Sequence, residues 1–468
     1  MALSASELDT IQRLAATIRR DASDLERLGS YYEGTQVIEQ LGLAIPPELR
    51  HLTVMVNWPR VVADSLEERI DLEGFRLPGT DDRDDDLWRV WQANGLDEES
   101  QLAHLDALVY GRAYVCVGTN EDDAATPLVT IESPLEMTAE VSPRTRKVTA
   151  ALRLYKDKDN SGASVDRATL YLPDVTIWAS KRWTGPTRGW TEDDRDEHGL
   201  GMVPVVPLVN RPRSKDRLGV SELADVITLT DAAARALTLA QLATETLSVP
   251  QRAVLGASET DFVDKDGKVL PKWEAYFGAV WALDNEDAKV HQFSAADLTN
   301  FRTIVNHYAE MVASVSGLPL RFFGQATSNP PSEGAIIADE SRLIKRAERR
   351  HRAWGGSWEQ VARLIKACQS GGTFDAKLTQ LETIWRNPAT PTKAQEADAA
   401  VKLVTANILP VEAAWEEMGY SQTKIKKLKL MREEQLRATD ILARQLAAVQ
   451  TPPEPPAEEV PPPADSAA

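Results

Sequence analysis

GVSELADVITLTDAAARALTLAQLATETLSVP, from Gly219 to Pro250, and LTNFRTIVNHYAEMVASVSGLPLRFFGQATSNPPS, from Leu298 to Ser332, flank a compact strand-rich insert. Ser221 is placed to cap an apolar run that reaches Val249 and stops before Pro250, because a proline pushes the preceding residue out of the helical region. That run would be about 42 Å long as a helix at ~1.5 Å per residue. It is rich in Ala, Leu and Thr around most of its circumference, which predicts contacts on more than one side. After the insert, Leu298, Phe301, Ile304, Val305, Tyr308, Met311, Val312 and Val315 recur at helical spacing, and Gly317 with Leu318-Pro319 stops the helix. Ser332 then opens a long basic helix, Glu333 to Ala367. Two helices that hold an insert at one end and a polar loop at the other make a strut rather than a pocket. The arrangement predicts a structural part of a larger assembly.

Within the insert, Gln251 to Phe293, Asp266-Gly267 reads as a hairpin turn. Trp273, Tyr276, Phe277 and Trp281 are more aromatic surface than so short a segment can bury privately, so some of these rings are expected to face partners. In the long helix, Gly355-Gly356 lies between Trp354 and Trp358. A glycine pair there costs roughly 1–2 kcal/mol in helix propensity and predicts a kink.

Toward the amino terminus, Ser4 and Glu7 form a capping box ahead of Leu8, Ile11, Leu14, Ile18, Ala22, Leu25 and Leu28, and Tyr31-Tyr32-Glu33-Gly34 closes that helix. Asn57-Trp58-Pro59 opens a second helix with proline near its start. A strand Leu72–Leu77, an acidic loop Asp81–Asp86 and helices Leu87–Ala93 and Glu98–Tyr110 follow. The period then changes to two. Segments 113–118, 128–132, 137–141, 147–155 and 168–183 read as antiparallel strands, with a hairpin turn at Ser142–Arg146. Gly185–Gly199 reads as a long polar loop. Val203–Val209, carrying Pro204 and Pro207, reads as an edge segment. Beyond the long helix, Leu378–Trp385 is strand-like. A capping box at Thr392–Gln395 then opens a helical region punctuated by Pro410, Gly419 and Ser421. The last stretch, TPPEPPAEEVPPPADSAA, is too proline-rich to pack and is expected to be disordered.

A chain of 468 residues with 43% apolar and 26% charged residues has ample length for a core and the composition of an ordinary soluble protein. No apolar run is long enough to span a bilayer, and the first residues lack a secretory layout, so a cytoplasmic origin is expected. The two cysteines, Cys116 and Cys368, are too few and too distant for a disulfide framework or a thiolate zinc site, and read as small buried hydrophobes. The formal charge of −18 gives no long-range attraction to DNA or to an anionic membrane. An acidic body can still handle DNA if its task is to let DNA slide without sticking.

Catalytic motifs are missing from the sequence. It contains no GxxxxGK[ST], no HExxH and no GxSxG, and the six histidines are scattered. The aspartates between Asp81 and Asp86 lack the glycine turn and following glutamate of a calcium loop, so a solvated loop is the better reading than a metal or nuclease site. No cofactor is expected. Arg342, Lys345, Arg346, Arg349 and Arg350, with Arg352 just beyond, form a basic row on the long helix. It reads either as a salt-bridged or intersubunit face or as a face toward DNA phosphates. Lys424, Lys426, Lys427, Lys429 and Arg432, with Glu433 and Glu434 nearby, read as an ordinary charged helix. Gln325 to Asn329 is small, polar and uncharged. It is either a plain connection or a set of weak contacts for a passing phosphate backbone.

NWPRVVADSLEERIDLEGF (Asn57–Phe75), IESPLEMTAEVSPRTRKVTAALRLY (Ile131–Tyr155), HGLGMVPVVPLVNRP (His198–Pro212), GVSEL (Gly219–Leu223) and SGLPLRFFG (Ser316–Gly324) carry a further signal in their order and spacing. Over roughly residues 5 to 445 the chain resembles the portal proteins of tailed bacteriophages, of the siphophage type found in phages of actinobacteria. The Pro330-Pro331 pair departs from the smoother Gly/Ser helix entry expected there.

The resemblance implies an α+β, ring-forming portal fold. Residues 1–220 and 371–390 would be an outer wing, 221–250 and 294–316 stem helices, and 251–293 a clip. Residues 317–332 would be a tunnel loop, 333–370 a long kinked helix and 391–449 a crown inside the head, followed by the tail 450–468. It implies a non-enzymatic dodecamer at one capsid vertex, assembled in the host cytoplasm, through which double-stranded DNA passes without sequence recognition. Implied partners are further copies of the chain, the terminase large subunit, head–tail adaptor proteins, and the major capsid and scaffolding proteins, with no membrane. Gln325, Thr327, Ser328 and Asn329 would line the channel. Lys268, Lys272, Trp273, Tyr276 and Trp281 of the clip would meet the motor and its successors. Two alternatives remain at this stage: another structural head or adaptor protein, disfavoured by the helix–insert–helix order, and a metal-dependent nuclease, which lacks a carboxylate cluster fixed on strands.

Overall fold

A computed structural model describes residues 3–37, 53–77, 79–80, 82–158, 162–182, 189–247, 252–255, 289–292, 298–325, 332–389, 393–420 and 422–450. The chain is of mixed helix and sheet and divides into two compact units, Met1–Ala389 and Thr390–Ala468.

The first unit opens with α1 (Ala5–Glu33). Its capping box is complete: the Ser4 hydroxyl accepts from the Glu7 N–H at 3.3 Å, and the Glu7 carboxylate accepts from the Ser4 N–H at 2.7 Å. The helix stops at Gly34 in the left-handed conformation. Its buried stripe of Ile11, Leu14, Ala15 and Ile18 covers one face of a five-stranded antiparallel sheet, against Ala150, Leu152, Ala168, Leu170 and Ile177. That sheet is an up-and-down meander of β4 (Met137–Val141), β5 (Val148–Lys158), β6 (Ser164–Tyr171), β7 (Thr176–Arg182) and β8 (Gly189–Asp196).

Two sequence expectations are corrected here. Residues 168–183 are not one strand, because the chain reverses between β6 and β7, with the Leu172 N–H donating to the Val175 carbonyl at 2.9 Å. Part of the expected polar loop, Gly189–Asp196, is the edge strand β8. Its charges suit an edge: Asp193 accepts from the Ser180 hydroxyl at 2.7 Å, and Arg195 spans Glu192 and Glu7. A charged edge strand also discourages unwanted pairing.

A second sheet places β2 (Arg112–Gly118) between β3 (Leu128–Glu132) and β9 (Val205–Val209), so the proline-bearing β9 is an edge, as its sequence requires. A third pairs β1 (Leu72–Arg76) with β12 (Glu382–Trp385), and β10 (Arg252–Leu255) pairs with β11 (Lys289–Gln292). The main core is built by α2 (Trp58–Glu67), α3 (Asp85–Ala93), α4 (Leu96–Tyr110) and β2, closed over by α7 (Glu333–Gln369). Asp84 caps α3, and Lys366 reaches Asp86 at 2.8 Å, so the end of the acidic stretch is a helix start rather than a free loop.

The long helix α7 supplies Leu343, Ala347, Trp354, Trp358, Val361 and Ile365 to that core. Trp358 donates to His104 Nε2 at 3.0 Å, and Trp354 stacks on the same imidazole at 5.0 Å. Burial, with a smaller contribution from His351, pushes His104 down to about 3 and keeps it neutral. The hydrogen-bonded helix continues through Gly355-Gly356, where the sequence predicts a kink. A β-carbon on Gly355 would lie 2.7 Å from the Thr383 hydroxyl, so this glycine lets β12 approach the helix; Gly356 faces open space.

The second unit contains α8 (Lys393–Thr405), α9 (Val411–Glu417) and α10 (Gln422–Gln450), with Arg432 paired to Glu412. The proline-rich tail expected to be disordered lies outside the described residues.

Candidate functional site, the mount of a polar loop between two helices

The polar loop is anchored on both sides. Upstream, α6 (Thr299–Ser316) packs against α5 (Ile227–Leu247) and ends at Gly317, whose φ of 70° permits the left-handed stop. Leu318 is buried, and Pro319 sets the start of a short turn of helix, Leu320–Phe323. Phe323 packs edge-on against Trp58 at 6.0 Å, which seats the turn on the start of α2. Arg321 bridges to Asp339 at 2.9 Å and to Glu340, both in the first turns of α7. Glu340 in turn holds Arg69 at 2.9 Å, and Arg69 donates to the Pro388 carbonyl at 2.6 Å. Downstream, the Ser332 hydroxyl caps α7.

Gln325, the first of the four expected channel residues, donates through Nε2 to Asn306 Oδ1 at 2.6 Å. Thr327, Ser328 and Asn329 lie outside the described residues, as do Lys268, Lys272, Trp273, Tyr276 and Trp281.

The basic row on α7 separates into distinct roles. Arg342 donates to the Ser314 carbonyl at 2.9 Å, and a β-carbon on Gly317 would lie 2.6 Å from its guanidinium stem. It therefore satisfies and charge-compensates the carboxyl end of α6. Arg346 and Arg350 turn inward and meet on Glu222, with Arg350 Nη2 at 2.9 Å. Lys345 and Arg349 are exposed and, among the described residues, make no ion pair within the chain.

Glu222 was not singled out by the sequence, since its partners lie far away in the chain. It is 3% exposed and also accepts from Asn210 Nδ2 at 3.0 Å. Burial alone would raise its carboxyl, but the guanidinium groups of Arg346 and Arg350, with Asn210, outweigh it and hold it below the usual range. The backbone beneath is knotted. The Asn210 N–H donates to the Gly111 carbonyl at 2.8 Å, and the Val220 N–H donates to the Asn210 carbonyl at 3.0 Å. Gly219, at φ 81°, sits where a β-carbon would come within 2.3 Å of the Gly111 oxygen. The Ser221 hydroxyl donates to the Val109 carbonyl at 2.5 Å instead of capping a helix. This ties residues 221–226 into turns, and α5 begins at Ile227 rather than at Ser221. The one visible signal was GVSEL itself, a glycine and a lone acid ahead of an apolar helix.

Among the described residues, the side chains of this arrangement hold and orient one another through ion pairs and hydrogen bonds. Among the described residues, no three His, Cys, Asp or Glu side chains are placed to hold a metal ion, and no helix is long and apolar enough to cross a membrane.

Residues 11–439 match the family described as phage portal protein, SPP1 Gp6-like. The chain is 39% identical over 427 residues to the portal protein of Mycobacterium phage L5, covering 89% of this chain and 86% of that one. It is 39% identical over 417 residues to the portal protein of Mycobacterium phage D29, covering 87% and 84%. Two solved structures are similar at lower levels. One is described as the neck of an empty GTA particle computed with C6 symmetry, at TM-score 0.46 and 12% identity, covering 80% of this chain and 94% of that one. The other is the virion of a native gene transfer agent particle, at TM-score 0.44 and 14% identity, covering 86% and 94%. With the match spanning residues 11–439 and both phage relatives being portal proteins, the chain belongs to the phage portal family, whose members are structural rather than catalytic.

Proposed function

We propose that twelve copies of the chain form a ring at one capsid vertex, and that double-stranded DNA enters and leaves the head through its centre. Residues 1–220 and 371–390 serve as the wing, and 221–250 with 294–316 as the stem. Residues 251–293 form the clip, 317–332 the tunnel loop, and 391–449 the crown. The clip receives the terminase large subunit during packaging and head–tail adaptor proteins afterwards, while the outer parts meet capsid and scaffolding proteins during assembly in the host cell.

One observation carries this reading. A short, polar, uncharged segment is held between two clamped ends, Phe323 on Trp58 upstream and the Ser332-capped start of α7 downstream, with Arg321 pinning one end to the other. Neutral Gln, Thr, Ser and Asn groups can touch phosphates without the counterion-release binding that would stall DNA. The acidic body, at −18 per chain, repels DNA at longer range. In a packaging assay with defined motor and proheads, Gln325→Lys with Ser328→Lys should slow DNA passage, most at low salt. Unchanged rates at low salt would remove the tunnel assignment.

A further inference from the structure

We infer that the loop 211–217 and the flank of α7 carrying Lys345 and Arg349 form one cationic patch that grips the phosphodiester backbone of double-stranded DNA. This contact rests on the reading above, in which DNA moves past the protein, and it gives that DNA a second place to touch besides the polar loop.

Two stretches far apart in the chain supply the charge. RPRSKDR, from Arg211 to Arg217, carries four cations against Asp216, and SRLIKRAERRHR, from Ser341 to Arg352, carries six against Glu348. Glu222 draws their roots together. Arg346 and Arg350 pair with its carboxylate, while Arg211 lies 3.9 Å from it and 2.7 Å from Asp225. Ten cations therefore meet four acids, in a chain whose net charge is −18. The centre of this cluster is itself over-supplied with positive charge, and Arg350 Nε is buried there without a hydrogen-bond partner. The loop is closed at its base, where Asn210 Nδ2 donates to the Val220 carbonyl at 2.8 Å, and the Arg213 N–H donates across it to the Asp216 carbonyl at 2.7 Å.

Arg213, Lys215, Arg217, Lys345 and Arg349 are all exposed, and none of the five has an ion pair among the described residues. At ~100° per residue, Lys345 and Arg349 lie ~40° apart around α7, and the exposed Glu348 lies ~60° from Lys345 on the side away from Arg346, at the border of the patch. Asp216 is engaged by its own loop, accepting from the Leu218 N–H at 3.1 Å. Leu218 is the one large apolar side chain that these two segments expose. A protein interface is built around an apolar centre, whereas a phosphodiester backbone is met by cations, above all by arginine, whose guanidinium fork matches phosphate. The composition of the patch therefore favours nucleic acid over an acidic protein. At physiological ionic strength exposed charges are screened beyond about 8 Å, so a phosphate at the patch meets these cations rather than the net charge of the body.

The test is fluorescence anisotropy of a labelled random-sequence DNA duplex with the full-length protein, at salt from about 50 to 200 mM. Wild type should bind without sequence preference. Arg213→Gln/Lys215→Gln/Arg217→Gln should weaken binding at least tenfold at the lowest salt and flatten the logarithmic salt slope by about 2–3, and Lys345→Gln/Arg349→Gln should flatten it by about 2. Lys426→Gln/Lys427→Gln/Lys429→Gln, in the other basic stretch, should bind as wild type does. Wild type that ignores the duplex, patch variants that bind it unchanged, or an equal loss in the control would each overturn the patch. If duplex binding survives in the loop variant while capture of the packaging motor or an adaptor is lost, the patch belongs to an acidic protein instead. Light scattering on the same samples keeps the two readings apart: rings that form but ignore the duplex sink the patch alone, whereas a chain that never assembles sinks the ring. Should one patch variant lower the thermal transition, the other decides.

Discussion

Arg350 Nη2 lies 2.9 Å from Glu222 Oε2, and neither side chain has more than a tenth of its surface in water. Residue 222 sits in the turns that lead into α5 and residue 350 lies midway along α7, so one buried ion pair couples the root of α5 to the long helix. Arg346 joins the same carboxylate, and Asn210 ties it to the knotted backbone below.

Glu222→Gln leaves two guanidinium groups without a counter-charge in a site nearly closed to water. Removing one partner of such a pair costs about 3–5 kcal/mol. Urea unfolding should show a loss in that range; an unchanged midpoint would contradict the coupling. The Glu222 carboxyl is held below its ordinary value, so its contribution is fully present above the unfolded value and is lost as pH falls through the lower folded one. The gap between wild type and Glu222→Gln should therefore close only below about pH 4.

His104 titrates with the same sign of pH dependence but in a higher window. Folded, its ring stays neutral down to about 3, whereas in the unfolded chain it takes up a proton near the ordinary imidazole value of about 6.5. Between those limits the unfolded state binds more protons, so stability falls as pH falls. From pH 6.5 to 5 the loss from this group is about 2 kcal/mol. His104→Phe should be less stable at pH 7, through the unpaired Trp358 indole N–H, yet lose less on acidification. Parallel slopes for the two proteins in denaturant titrations at pH 7 and 5 would refute the assignment.

Gly355 and Gly356 should respond in opposite directions to alanine. Gly355→Ala drives a methyl into the Thr383 hydroxyl and must displace β12, whereas Gly356→Ala meets nothing within 4 Å. The second substitution should stabilise by about 0.5–1 kcal/mol through helix propensity, and the first should destabilise. Thermal melts of the two single variants separate these outcomes. Equal effects would restore the kink as the reason for the pair.

Local chemistry made much of this fold legible. The Ser4–Glu7 box, Pro59 near the start of α2, the Gly317 stop and the Ser332 cap all act within a few residues, and each appears where its sequence places it. The edge position of β9 followed from Pro207, which has no N–H to give to a neighbour. What escaped depends on distant partners. GWTEDDRD reads as a loop because its charges are satisfied by Ser180, Arg167 and Glu7 on other elements. Ser221 looks like a helix cap until the Val109 carbonyl claims its hydroxyl. The spacing of the basic row was plain, but that Arg346 and Arg350 find a buried partner in Glu222, 124 and 128 residues away, was not. The mount of the loop was partly legible in LPLRFF, whereas its ion pairs to Asp339 and Glu340 were not.

Trp273 and Trp281 lie in the segment proposed to meet the packaging motor and its successors. Trp273→Ala or Trp281→Ala should leave assembly intact and reduce capture of the motor or adaptor by tenfold or more, the behaviour of an aromatic anchor at an interface. Loss of folding in the isolated chain would place the ring in a core instead.

The proposal as a whole turns on assembly. Electron microscopy of the purified full-length protein, classified without imposed symmetry, addresses this most directly. The account predicts closed rings of twelve copies with an open central channel. A field of compact single chains, or closed particles with no central opening, would contradict it.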